Sequence, residues 1–206
     1  MAEGGSWDSI AQHGLLSTSA LLDLFGYQGE QRSVIESRHR PESITIEHPE
    51  YGTAVIRDQK PMDDVGLIRS LQDGLSPTEW YRLLNSKVFF WATRERLGRM
   101  LNARPYRNKT HDVLTIDTAS LVERYQDSIV VSPMNSGATR PYPHPRGLDT
   151  FCSIEEYPYE SWERRRKRGD EIAEIAVDYG VRDIIDFAIC VDSMRRDQII
   201  GAIWVR

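Results

Sequence analysis

The apolar positions of the first 25 residues predict a helix in two pieces. Trp7, Ile10, Leu15, Leu21, Leu22 and Phe25 recur at roughly helical period. Gly14 interrupts the pattern and suits the C-terminal cap of the first piece. Ser17-Thr18-Ser19 offers an N-cap for the second, Ala20 to Phe25. Residues 26–50 read as polar and irregular, apart from an alternation at Ile44 and Ile46 that predicts a short strand over 43–47. Thr53 to Ile56 predicts another. Residues 65–84 predict two helical pieces. The later one is opened by Ser76-Pro77-Thr78-Glu79, a capping box with proline at the first helical position.

Val88-Phe89-Phe90-Trp91 predicts a strand. Thr93 then caps a helix carrying Leu97, Met100 and Leu101, and strands follow over 112–117 and 128–132. Residues 133–163 hold five prolines and read as one long loop. Loops of that length inside a compact domain usually bind something or act as lids. A basic run, Arg164 to Arg168, leads to strands over 172–177 and 184–191, joined by 178–183, and to a further strand over 199–205. Strands outnumber helices toward the C-terminus and no repeat is visible. The fold class expected is α+β, in a single domain spanning 1–206.

Composition narrows the function classes. A hydrophobic content of 40% in 206 residues supports one core. Lys+Arg number 26 against 31 Asp+Glu, a net charge of -5, which excludes a uniformly basic nucleic-acid-coating surface but leaves a local basic patch open. No apolar run approaches the ~18 residues of a membrane span. The first seven residues have neither the basic nor the apolar region of a secretory signal, so a cytoplasmic protein without membrane contact is expected. Cys152 and Cys190 cannot build a disulfide framework, and the five histidines show no paired ligand spacing, so no metal is expected. No strand is followed by a Walker A or G-x-G-x-x-G loop, and there is no G-x-S-x-G elbow. A hydrolase site assembled in space stays open, for instance around Asn135-Ser136-Gly137.

What remains is a carboxylate in an apolar strand. In the segment 171–177, Ile172, Glu174 and Ala176 share one face, and Ala173, Ile175 and Val177 the other. Two readings of Glu174 stand side by side. It is a solvent-facing or edge-strand residue, or a partner for the 164–168 run; or it is a carboxylate positioned at a cleft, since burial without a partner is costly.

Three stretches, in order, resemble the ADP-ribosyltransferase fold of the DarT toxins and the poly(ADP-ribose) polymerases. Trp7 to Ile10 and His13-Gly-Leu-Leu-Ser17 are similar to that family's early helix, which ends in a Gly-Leu turn beside NAD. Lys87 to Thr93, followed by a helix, looks like its central strand, whose aromatic stacks on nicotinamide. Arg164-Arg-Arg, Ala173-Glu174-Ile-Ala-Val177, Gly180 to Ile185 and Ile189-Cys-Val191 resemble the DarT segment in which a basic stretch precedes an Ala-Glu strand. Together they cover about a quarter of the chain, and the loop 133–163 falls where the family carries its substrate-recognition loop.

The resemblance implies a split antiparallel β core with flanking helices and an NAD-dependent ADP-ribosyltransferase. Glu174 would be the catalytic residue, holding the ribose 2′-hydroxyl and stabilising developing positive charge. Trp91 or Phe90 would stack the nicotinamide, Arg57 would meet the pyrophosphate, and Gly14, Ser17 and Thr18 would contact NAD. As a purely structural residue, Arg57 would instead form an ordinary surface ion pair with Asp58 or Asp63. For the acceptor, the DarT-like closing segment points to a base of single-stranded DNA or RNA. Arg140, Arg146, Arg164 and Arg166, interleaved with Tyr142, Phe151 and Tyr157, would grip it by charge and stacking. The family's first strand, carrying an NAD-binding His or Arg, would fall before Met1, and His13 is not its positional match. That departure keeps open a non-catalytic interaction protein on a decayed scaffold, or one half of a toxin–antitoxin or defence pair that hydrolyses NAD, with an antitoxin protein as partner.

Overall fold

The computed structural model describes residues 1–206. A short strand, β1 (Ala2–Glu3), leads into α1 (Trp7–His13), β2 (Leu15–Leu16), α2 (Thr18–Leu24) and α3 (Gly29–Glu36). A hairpin of β3 (Ile44–His48) and β4 (Gly52–Ile56) follows, then α4 (Asp64–Ser70), α5 (Pro77–Asn85), β5 (Lys87–Trp91) and α6 (Arg94–Asn102). The second half contains β6 (His111–Ile116), α7 (Thr118–Tyr125), β7 (Ile129–Ser132), α8 (Tyr159–Glu163), β8 (Glu174–Asp178), β9 (Gly180–Val181), β10 (Ala188–Arg195) and β11 (Gln198–Val205).

The strands form a four-stranded sheet in the order β1-β6-β10-β11, a three-stranded sheet β5-β8-β7, and the pairs β2-β9 and β3-β4. Every one of these pairings is antiparallel, and helices separate the sheets along the chain, which makes the fold α+β. The largest apolar cluster draws Ile129 and Val177 from the three-stranded sheet and Ala188 and Val191 from the four-stranded one. Trp7 and Ile10 of α1, Leu121 of α7, and Val181, Ile184 and Phe187 complete it. This shared core fixes the end of β8, and hence Glu174, relative to α1.

Local chemistry explains the helix starts. Ser76 Oγ accepts from the Glu79 amide at 3.3 Å while Glu79 Oε2 accepts from the Ser76 amide at 2.7 Å, and α5 then buries Trp80, Tyr81 and Leu84. Ser17 caps α2 through the Ala20 amide, and Thr93 caps α6 through the Arg96 amide.

Four expectations change. Residues 26–50 are not irregular: they hold α3, whose only buried residue is Ile35, so its apolar period was too faint to read. Residues 118–125 form α7, capped by Asp117, where no element was expected. The stretch 184–191 begins with a 3-10 turn at Ile184–Asp186, and the strand starts at Ala188. A strand does precede the first helix: β1 pairs with β6, Ala2 opposite Asp112 and Glu3 opposite His111, so the neighbouring histidine comes from β6. The loop 133–163 carries a 3-10 turn at Leu148–Thr150 and ends in α8. No helix is long and apolar enough to cross a membrane.

Candidate active site

A cavity of about 440 Å³ opens between the α1–β2 turn, the end of β4, strand β5 and the turn Asn135–Gly137, with Glu174 in its wall. Its size lies within the roughly 300–1,000 Å³ of small-molecule sites.

Glu174 begins β8, the central strand of its sheet. Its register partners are Trp91 on β5 and Ser132 on β7. It is 5% exposed, which overturns the solvent-facing and edge-strand readings. Ser136 donates to Glu174 Oε2 twice, from its amide at 3.0 Å and from its hydroxyl at 2.7 Å. Oε1 takes no hydrogen bond from the protein and is left to the cavity. Burial raises the carboxyl pKa to about 7, against the downward pull of the two Ser136 bonds and the charges of Arg96 and Arg146. Because the Ser136 hydroxyl is given to Glu174 and to no histidine, a Ser-His pair is not formed at 135–137.

Strand alternation decides between the two aromatic candidates. Trp91 and Phe89 line the cavity, whereas Phe90 packs against the cluster of Trp7 and Val177 on the other side of the sheet. The expectation that Phe90 shares the site is therefore corrected.

The α1–β2 turn is built on Gly14, whose φ is 90°. A Cβ there would lie 2.5 Å from the Arg182 Cα, so only glycine lets β2 pair with β9, Leu15 opposite Val181. Ser17 uses its hydroxyl oxygen as the cap of α2, and its amide donates to the Tyr179 carbonyl at 3.0 Å. Gly14, Ser17 and Thr18 all line the cavity.

Arg57 lines the cavity as well, but its Nε lies 3.3 Å from Glu3 Oε2, its Nη1 3.3 Å from His111 Nδ1, and its guanidinium 5.5 Å from the Tyr106 ring centroid. Neither Asp58 nor Asp63, the expected surface partners, pairs with it. Sequence reasoning passed over a second arginine, Arg40. It is 6% exposed, lines the same cavity, and donates to the carbonyls of Arg57 and Ile35 at 2.7 and 2.6 Å and to Asn85 Oδ1 at 3.2 Å. Burial lowers its pKa to about 10, and its only charged helper is Asp58, outside ion-pair distance. No spacing rule singles out such a residue, because its partners are backbone oxygens.

The four arginines expected to grip an acceptor do not act alike. Arg140 is exposed and pairs with Asp63 at 3.1 Å. Arg164 is exposed at the end of α8. Arg166 stacks on Trp162, 4.6 Å from the ring centroid, and donates to the carbonyls of Asp170 and Glu171. Arg146 is 1% exposed and spends its guanidinium on the carbonyls of Ser136, Ala138 and His144, which removes it from any acceptor surface.

Residues 1–188 match a protein family described as "Family of unknown function (DUF7002)", and the chain belongs to that family. No curated protein and no solved structure matches the chain.

Proposed function

We propose that this member of the DUF7002 family is an NAD-dependent ADP-ribosyltransferase, built on a split antiparallel β core of the ADP-ribosyltransferase kind. The observation that carries the reading is Glu174: a buried carboxylate with one oxygen held by Ser136 and the other free at a cavity that Trp91 also lines. Cleaving the nicotinamide–ribose bond sends the bonding electron pair out with nicotinamide and leaves oxocarbenium character on the ribose. Ionised Glu174 Oε1 accepts the ribose 2′-hydroxyl proton in a hydrogen bond and faces that developing charge in a water-poor site, where fixed charges act most strongly. Trp91 stacks the departing ring. Arg57 faces the pyrophosphate, the Arg40 guanidinium beside it being taken up by the carbonyls of Arg57 and Ile35 and by Asn85. The acceptor then forms the new bond to the ribose carbon and releases its proton.

The acceptor class we assign is a base of single-stranded nucleic acid. The turn 135–137 reaches the cavity from the 133–163 loop, whose Arg140 and Tyr142 are exposed, and the run 164–168 follows it. Incubation with labelled NAD and separate pools of single-stranded DNA, RNA and protein tests both steps. The expected result is nicotinamide release with label in a nucleic-acid pool. Absence of release, or release equal in Glu174→Gln, overturns the transferase. Label in protein overturns the acceptor class alone, and release without transfer to any pool leaves water as the acceptor and also overturns it.

A further inference from the structure

Arg146 is the most deeply buried arginine of the fold, and no carboxylate lies within ion-pair distance of it. Such a cation is costly unless its donors are all occupied. Here each of its three nitrogens finds a carbonyl, two of them in one turn. Nη1 donates to the Ser136 carbonyl at 2.8 Å, Nη2 to the Ala138 carbonyl at 2.7 Å, and Nε to its own neighbour His144 at 3.1 Å. The guanidinium carbon lies 5.9 Å from the Trp80 ring centroid, over the aromatic face. The Arg146 backbone is tied independently to the end of α4. Its amide donates to the Ser70 carbonyl, and its carbonyl accepts from the Gln72 amide, both at 2.9 Å. The side chain is thus a strut from a fixed segment to the turn 136–138.

Ser136 sits at the far end of that strut. Its carbonyl is held by Arg146, and its amide and hydroxyl both point at Glu174 Oε2. The peptide is clamped on both sides, so the direction in which Glu174 offers its free oxygen follows from where Arg146 holds the turn. We propose that Arg146 is a positioning residue that sets the orientation and protonation of Glu174 through Ser136. The inference rests on the reading of Glu174 as the reacting carboxylate for its consequence in turnover, but not for its titration.

The test uses Arg146→Lys, Ser136→Ala and the double variant in the full chain. Lysine keeps the charge but loses the planar fork, so an effect reports the turn and not the missing cation. The charged groups acting on Glu174 are Arg146 and Arg96, and Arg96 is held by Asp170 at 2.7 Å, a pair that none of the substitutions touches. Carbon-13 carboxyl resonances of labelled glutamate, with the Glu174 signal identified by its loss in Glu174→Gln, read the titration without turnover. R146K and S136A are expected to shift the Glu174 midpoint upward in the same direction, because each removes hydrogen bonds that favour the carboxylate. The double variant is expected to shift the midpoint by less than the sum of the two single shifts, because the Ser136 hydroxyl bond that R146K misaligns is already absent in S136A while the amide bond of residue 136 remains to be displaced. In NAD cleavage, R146K lowers kcat about tenfold or more and leaves KM within about twofold, as loss of alignment does. An unmoved midpoint in R146K, a shift that adds to that of S136A, or an R146K chain that no longer melts cooperatively each overturns the proposal. A wild-type protein that does not cleave NAD overturns the transferase reading while the titration still decides this one.

Discussion

Trp91 and Glu174 stand directly opposite each other on antiparallel neighbours, β5 and β8, and both line the same cavity. Residues paired in register place their Cβ atoms about 5 Å apart on one face of a sheet. An aromatic surface and a carboxylate at that separation match a flat cationic ring and the sugar attached to it. Both side chains come from a single sheet, which limits their relative motion, and in the proposed reaction they flank the bond to be cleaved.

Glu174→Gln keeps an oxygen for the two Ser136 bonds and removes the charge. Nicotinamide release is expected to fall about 10²–10³-fold, the cost of losing one electrostatic group aimed at a transition state, while NAD binding stays within a few-fold. Equilibrium binding by calorimetry beside single-turnover kinetics separates the two. A variant that cleaves at the wild-type rate removes Glu174 from the chemistry.

The raised pKa makes activity and stability run in opposite directions with pH. The proposed catalysis needs the carboxylate, so kcat/KM is expected to rise with pH through about 7. Stability follows the proton count. Between the ordinary 4.5 and about 7 the folded chain holds a proton that the unfolded chain has lost, so stability falls as pH rises through this window. The full cost above it is on the order of 3 kcal/mol. Urea unfolding is therefore expected to find Glu174→Gln more stable than wild type at pH 8 and equal to it near pH 4.5. Parallel pH profiles of the two proteins would contradict the burial argument.

Two adjacent aromatics should separate cleanly. Trp91→Ala is expected to raise the KM for NAD about tenfold with a cooperative melt retained. Phe90→Ala, on the core side of the sheet, costs about 2 kcal/mol of stability and leaves activity per folded molecule unchanged. Kinetics and thermal melts of both variants check the assignment, and the reverse pattern would mean that the strand faces have been exchanged.

Gly14→Ala places a methyl 2.5 Å from the Arg182 backbone at a φ of 90°. The expected loss is about 3 kcal/mol or more, with amide exchange rising at Leu15 and Val181 as their pairing breaks. Gly5→Ala is the control: its φ is also positive, at 85°, but nothing lies within 4 Å, and about 1 kcal/mol is expected.

The fold was legible where a local device sufficed. The Ser76–Glu79 box, the Thr93 cap and the alternation of β5 to β8 all lie within a few residues of sequence, and each appears in the structure close to its expected place. Helix α3 escaped because one buried residue in eight leaves no period. The site was legible at Glu174, since a lone charge in an apolar strand is visible in any window. Its partner Ser136 is 38 residues away, and the role of Arg146 depends on carbonyl groups that every residue possesses. Interactions with the backbone leave no compositional trace, which is why Arg40 was passed over and Arg146 was read as an acceptor contact.

The cavity has two unlike walls. At Gly14 main chain meets main chain with no side chain between, so that wall moves only if strand pairing breaks. The wall at the turn 135–137 is held by side chains instead, Arg146 on the Ser136 carbonyl and Glu174 on the Ser136 amide and hydroxyl, so it can shift without breaking a strand pair.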